Sequence, residues 1–220
     1  MSRPYDAVLF DLDGTLSDSI GLILESYRHT MKTHLGKELP DELWLNGVGT
    51  PLDNQLAEFA KDSKEIAAMR KTYSDYYIDR HDAEIGMFPG AIEAVEDLKK
   101  LGIKIGIVTS KSRVGVERTL RLHKLLEFFD VVVSADDTKK GKPSPEPVLF
   151  ALSKLGVQPD RACFVGDSTH DLEAGNAAGV DSIAVEWGPY PRKALEQCNP
   201  KKWLRLPEDI LGLGSALSQG

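Results

Sequence analysis

The chain has 220 residues, enough for one large domain or a core carrying an insertion, and its 41% hydrophobic and 28% charged composition excludes a disordered, collagen-like or coiled-coil protein. Twenty-seven basic against thirty-four acidic residues leave a formal charge of −7, the opposite of a nucleic-acid footprint, so no nucleic-acid partner is expected. Two cysteines give no disulfide framework, and neither a signal-like apolar segment near Met1 nor a run long enough to cross a membrane occurs, so a soluble, cytoplasmic chain without a membrane partner is expected.

In chain order, short apolar and β-branched runs at residues 7–10, 103–108, 131–134, 162–165 and 183–185 read as buried parallel strands. Ile92, Val95, Leu98 and Leu101 recur at helical spacing before a capping Gly102. Val116, Leu120, Leu122, Leu125 and Leu126 mark the next helix. Strand and helix alternate, which predicts a doubly wound α/β sheet with right-handed crossovers. The gap between the first two strands far exceeds a single crossover, so residues 16–86 read as an inserted helical domain without strands, and residues 1–15 and 87–220 as the α/β core. Thirteen acidic and eight basic residues give that insert most of the net charge. Thr15 to Ser17 and Phe88-Pro89-Gly90 would connect it, and Asp18 reads as a helix-start residue.

Polar residues follow the strands in four places. Asp11-Leu12-Asp13-Gly14-Thr15 puts two carboxylates at the carboxyl end of the first strand, where ligands bind in open α/β sheets, and a charge at Asp11 directly after four apolar residues asks for a nearby cation. Thr109-Ser110-Lys111 ends the second strand. Gly141-Lys142-Pro143-Ser144-Pro145 follows the third, with Ser144 placed as an N-cap. Gly166-Asp167-Ser168-Thr169-His170-Asp171 ends the fourth. Each taken alone also fits a turn, a cap or a solvated surface; together they supply hard oxygen ligands, an ammonium and hydroxyl donors, the parts needed to bind Mg²⁺ and a phosphoryl group. Cys163, inside a strand run, reads as a core residue, and His29, His34 and His81 as exposed polar residues of the insert.

In order and spacing these segments resemble the four motifs of the haloacid dehalogenase superfamily, in the phosphoglycolate phosphatase-like and pyrophosphatase-like branch with a helical cap. The resemblance implies a Rossmann-like core and a Mg²⁺-dependent phosphatase. Carried over by motif position, Asp11 would be the nucleophile and Asp13 the general acid and base, with Thr109 and Lys142 holding the transferred phosphoryl group. Asp11, the backbone carbonyl of Asp13, and Asp167 would bind Mg²⁺, with Asp171 just behind. Ser110, Lys111 and the cap residues Gly49 and Thr50 are expected at the substrate, on a loop from Trp44 to Asp53 that closes over the site. The role of His170 stays open. The expected partner is a small phosphorylated metabolite, with 2-phosphoglycolate foremost and inorganic pyrophosphate next. A sugar phosphomutase on the same scaffold and a non-catalytic phosphate-binding or regulatory module are the alternatives. Either a monomer or a homodimer is compatible with the sequence.

Overall fold

The structure, a computed structural model, describes residues 4–45 and 47–214. Strand β1 (Ala7–Phe10) is buried along its whole length. Side chains alternate across a strand, and here Val8 and Phe10 join one apolar cluster while Ala7 and Leu9 join another on the opposite face. A strand covered on both faces needs a continuous apolar run, which is what Ala-Val-Leu-Phe supplies.

From β1 the chain passes through a two-residue strand β2 (Ser17–Asp18) into four helices: α1 (Ile20–Leu35), α2 (Asp41–Leu45), α3 (Leu52–Ala57) and α4 (Ser63–Glu84). They enclose a core of their own, in which Tyr27, Met31, Trp44, Leu56 and Met69 are fully or almost fully buried. Helix α4 begins where Asp62 caps the backbone N–H groups of Lys64 and Glu65. Its far end returns through β3 (Gly86–Met87), which pairs antiparallel with β2. This two-strand ribbon is where the helical unit joins the α/β unit. The sequence reading placed no strand here; two residues are too few to show an alternating pattern. Asp18, expected at a helix start, lies instead in β2, and Ser19 occupies the N-cap position.

The remaining elements build the core: α5 (Ala91–Lys100), β4 (Lys104–Val108), α6 (Arg113–Leu122), β5 (Val131–Val133), α7 (Glu146–Leu155), β6 (Ala162–Gly166), α8 (Thr169–Ala178), β7 (Asp181–Val185), α9 (Arg192–Glu196) and β8 (Lys202–Leu204), before a 3₁₀ turn at Pro207–Leu213. The six long strands form one parallel sheet in the order β5-β4-β1-β6-β7-β8. This is the doubly wound α/β architecture expected from the sequence, with β8 as a strand the sequence reading did not include. Helix α7 starts one residue later than the Ser144 cap implies, although Ser144 Oγ still accepts from Glu146 N at 3.3 Å.

The strand order positions the site. After β1 the chain moves outward to β4 and β5; it then returns to the other side of β1 with β6 and moves outward to β7 and β8. The winding therefore reverses between β1 and β6, and loops leaving their carboxyl ends diverge and leave a crevice. Asp11 follows β1 and Asp167 follows β6.

Candidate active site

Asp11, Asp167 and Asp171 meet in that crevice. Each is buried, and oxygen atoms of the three carboxylates lie within 4.8 Å of one another. Three carboxylates would repel strongly in a low-dielectric site. Lys142, also buried, sits among them, with Nζ 2.9 Å from Asp11 Oδ1 and 2.6 Å from Asp171 Oδ1. Among the described residues no group other than this ammonium holds Asp11 Oδ1, a buried oxygen. Burial opposes the charge on Lys142, but Asp11 and Asp171 outweigh it and keep the amine firmly protonated. Burial also raises the Asp11 carboxyl to about 7, against the downward pull of Lys142 and with Asp171 and Asp13 adding to the rise. Asp167 is pushed well above its ordinary range by burial and by its neighbours Asp171 and Asp11.

The surrounding loops hold these groups tightly. Thr15 Oγ1 donates to Asp167 Oδ1 at 2.5 Å. Asp171 closes a capping box on α8, accepting from Ser168 N at 3.1 Å and Ser168 Oγ at 2.6 Å through Oδ2, which leaves Oδ1 for Lys142. Backbone approaches so closely that side chains are excluded: a Cβ on Gly188 would stand 2.2 Å from Asp167 Cβ. Thr109, buried at the end of β4, follows Val108, whose carbonyl accepts from Lys142 at 3.4 Å.

Asp13 faces elsewhere. Its carboxylate accepts from Lys111 Nζ at 2.7 and 3.0 Å and from Ser19 Oγ at 2.7 Å. It borders a cavity of about 470 Å³ between the helical unit and the core, whose lining also includes Gly49, Thr50, Ser110, Lys111 and Tyr77. Ser110 Oγ donates to the carbonyl of Gly49 at 2.5 Å, pinning the insert's loop to the core. Gly49 adopts φ +97°, and a Cβ there would stand 2.8 Å from Ser168 Oγ. Thr50 turns its hydroxyl back to the carbonyl of Gly47 at 2.7 Å.

Several expectations need correction. The segment from Trp44 to Asp53 is not one loop over the site: Trp44 lies in helix α2 and stacks on Tyr27 in the insert's core, ring centroids 4.6 Å apart, and Asp53 lies in α3. The turn before α3 reaches the core through Gly49, whose carbonyl meets Ser110; Asn46 lies outside the described residues. His81 is buried, not exposed, with Nε2 2.8 Å from Thr119 Oγ1 of α6 and Nδ1 2.7 Å from Asp82 Oδ1. Lys111, expected at the substrate, lines the cavity, and its ammonium is also shared between Asp13 and Tyr77 OH, the latter at 2.8 Å. Thr15, Ser19 and Tyr77 escaped the sequence reading as site residues. For Thr15 the signal was present, a hydroxyl directly after the Asp-x-Asp-Gly turn; for Tyr77 there was none, because its partner is 34 positions away.

The crevice, the paired acidic loops and the inserted helical unit define a class. A family model of haloacid dehalogenase-like hydrolases matches residues 8–185, and the chain belongs to that family. Among individual proteins, pyrophosphatase PpaX of Bacillus cereus is 38% identical over 214 residues, covering 97% of this chain and 98% of its own length. A haloacid dehalogenase-like hydrolase from Bacteroides fragilis superposes with a TM-score of 0.87 at 27% identity, covering 94% of this chain and 99% of that one. A protein from Lactobacillus plantarum provisionally described as a phosphoglycolate phosphatase does so at 0.85 and 31%, covering 96% of this chain and 100% of that one. Among the described residues no helix is long and apolar enough to cross a membrane.

Proposed function

We propose that this hydrolase is a Mg²⁺-dependent phosphatase that releases phosphate from a small phosphate anhydride or ester through an aspartyl-phosphate on Asp11. The observation that carries the reading is the buried cluster itself: three carboxylates against one ammonium, with Asp11 Oδ1 held by that ammonium alone among the described residues. That donor set is hard, oxygen-only and short of positive charge, which fits a divalent cation of the Mg²⁺ type. Asp11, the backbone carbonyl of Asp13, and Asp167 would hold it. When bound, the cation supplies charge neutralisation and a fixed orientation for the phosphoryl oxygens.

The chain's own residues do the rest. Asp11 would attack phosphorus, dividing one difficult hydrolysis into two displacements. Lys142, held by Asp171, and Thr109 at the end of β4 would grip the equatorial oxygens, where charge concentrates in the transition state; losing such a donor costs about 3 kcal/mol. Asp13, on the cavity side, would give a proton to the leaving group and later take one from water. Ser110, Gly49 and Thr50, on the cavity wall, would limit what the leaving group can be.

On substrate, the relatives reorder the sequence expectation. Inorganic pyrophosphate becomes the first choice, because the relative named pyrophosphatase aligns over nearly the whole chain. 2-Phosphoglycolate follows, supported by the likeness to the Lactobacillus plantarum structure. The test is phosphate release from both compounds and a panel of sugar phosphates, with Mg²⁺ and with EDTA, for the wild type and Asp11→Asn. Release that needs Mg²⁺ and falls by roughly 10⁴-fold or more in the variant is expected, on the scale that losing a covalent nucleophile costs. Undiminished release by Asp11→Asn would exclude the mechanism, isomerised sugar phosphate without free phosphate would indicate a mutase, and no turnover of any compound would favour a binding module.

A further inference from the structure

The insert contributes a side chain that touches the reacting groups at one remove. Lys111 Nζ meets three oxygens: Asp13 Oδ1 at 2.7 Å, Asp13 Oδ2 at 3.0 Å and Tyr77 OH at 2.8 Å. An ammonium has three N–H donors, so these acceptors use its capacity, and little is left for a substrate. We propose that Tyr77 is a positioning residue: its hydroxyl fixes the Lys111 ammonium, and Lys111 in turn holds the Asp13 carboxylate in place for proton transfer to the leaving group. The inference rests on Asp13 acting as the acid–base group, as proposed above.

A lysine side chain is long and flexible, and on its own it fixes nothing. Here it is confined from several directions. Its stem runs beside Gly115 of α6, where a Cβ would stand 2.9 Å from Lys111 Cγ, so only glycine leaves it room. Its ammonium lies 4.8 Å from the centroid of the Tyr77 ring as well as against the hydroxyl. The ring is itself immobilised, packed parallel to Tyr73 at 6.1 Å and tilted against His81 at 5.6 Å. One turn further along α4, His81 bonds Thr119, and Asp82 accepts from Arg118 Nε at 2.8 Å, so the segment carrying Tyr77 is seated on α6 of the core. Ser19 Oγ, just before α1, donates to Asp13 Oδ1, the same oxygen that Lys111 bonds at 2.7 Å. The insert thus holds Asp13 from both of its ends, directly through Ser19 and through Lys111 by way of Tyr77.

Tyr77→Phe removes the hydroxyl and keeps the ring. A residue that places the proton donor matters most for leaving groups that cannot depart without a proton, and kcat/KM over a series of phosphate monoesters reads this out. On an alkyl phosphate the variant should lose about tenfold or more in kcat/KM, a fraction of the full acid–base contribution, with little loss on p-nitrophenyl phosphate. Lys111→Met should show the same selectivity, and the double variant should be no worse than Lys111→Met, as expected for residues acting in series. Equal loss on every ester, or no loss, overturns the proposal. If the wild type releases no phosphate from any ester or from inorganic pyrophosphate, the reading of the site fails separately, and a crystal structure of Tyr77→Phe still decides this point. Displacement of Lys111 Nζ from the two Asp13 oxygens supports it; an unmoved Lys111 overturns it.

Discussion

Each buried acid in the crevice has a different set of partners, and those partners separate their tasks. Asp171 spends one oxygen on its helix cap and the other on Lys142. Asp11 Oδ1 is held by the Lys142 ammonium alone among the described residues. Asp167 has Thr15 as its hydroxyl donor, and removing a group that orients a ligand weakens metal binding by about 10- to 100-fold. Thr15→Val should therefore raise the Mg²⁺ concentration for half-maximal activity by that factor and leave kcat at saturating Mg²⁺ near the wild-type value, in a metal titration of turnover. Asp11, Asp13 and Asp167 were legible as candidates because each closely follows a strand run in a short polar motif, and Lys142 because it stands in the motif Gly141-Lys142-Pro143-Ser144-Pro145. Lys111 was legible as a candidate but its partners were not: its neighbours Thr109 and Ser110 belong to one loop, whereas the groups that accept its hydrogen bonds come from the first strand's loop and from α4, and no local pattern encodes that meeting.

The elements show what a hydrophobic pattern encodes and what it leaves out. Strands β1, β4, β6 and β7 are nearly all buried and appear as apolar runs. Strand β8, at the sheet edge, is Lys-Trp-Leu and only partly buried, so it carries no such run. Trp44 sits near Gly47, Gly49 and Pro51, whose turn signals masked a buried aromatic of the insert's core. The loops at the sheet edge depend on close backbone approach as much as on their acids. Gly188, just beyond β7, has Asp167 Cβ where its own Cβ would go, at 2.2 Å. A contact under 3 Å forces a shift, and the nearest movable group is the Asp167 side chain, so Gly188→Ala should retain a folded circular dichroism spectrum while activity falls about 100-fold, the order expected when reacting groups move by an ångström. Full activity in that variant would show that the loop has slack.

For the whole molecule, function and stability pull against each other at the same residues. The Asp11 carboxyl, ordinarily near 3.8, is raised to about 7 in the folded protein. A folded-state pKa above the unfolded one means that the folded state holds the proton more tightly. The associated stability is complete below the unfolded value and is lost as pH rises through the folded one. In EDTA, the stability of wild type relative to Asp11→Asn should accordingly fall between about pH 4 and pH 7. Mg²⁺ should restore it, because a ligand bound only to the folded state stabilises it by mass action. Denaturant unfolding of both proteins across that range checks the sign, and a flat difference would show that burial does not disfavour the Asp11 charge. The α/β core with an inserted helical unit was legible at this scale because a gap of some ninety residues between two strands has to be filled by structure of its own. The seating of that unit was not, since it depends on His81, Asp82 and Tyr77 meeting α6 and Lys111 from far along the chain.

The most direct measurement is acid quenching during turnover, followed by proteolysis and mass spectrometry of the peptide that carries Asp11. Phosphate mass on that carboxylate, absent in EDTA and gone when the enzyme is left to complete turnover before quenching, is the expected result. Rapid phosphate release with no adduct on Asp11, or with the adduct on another residue, would contradict Asp11 as the group that first receives the phosphoryl.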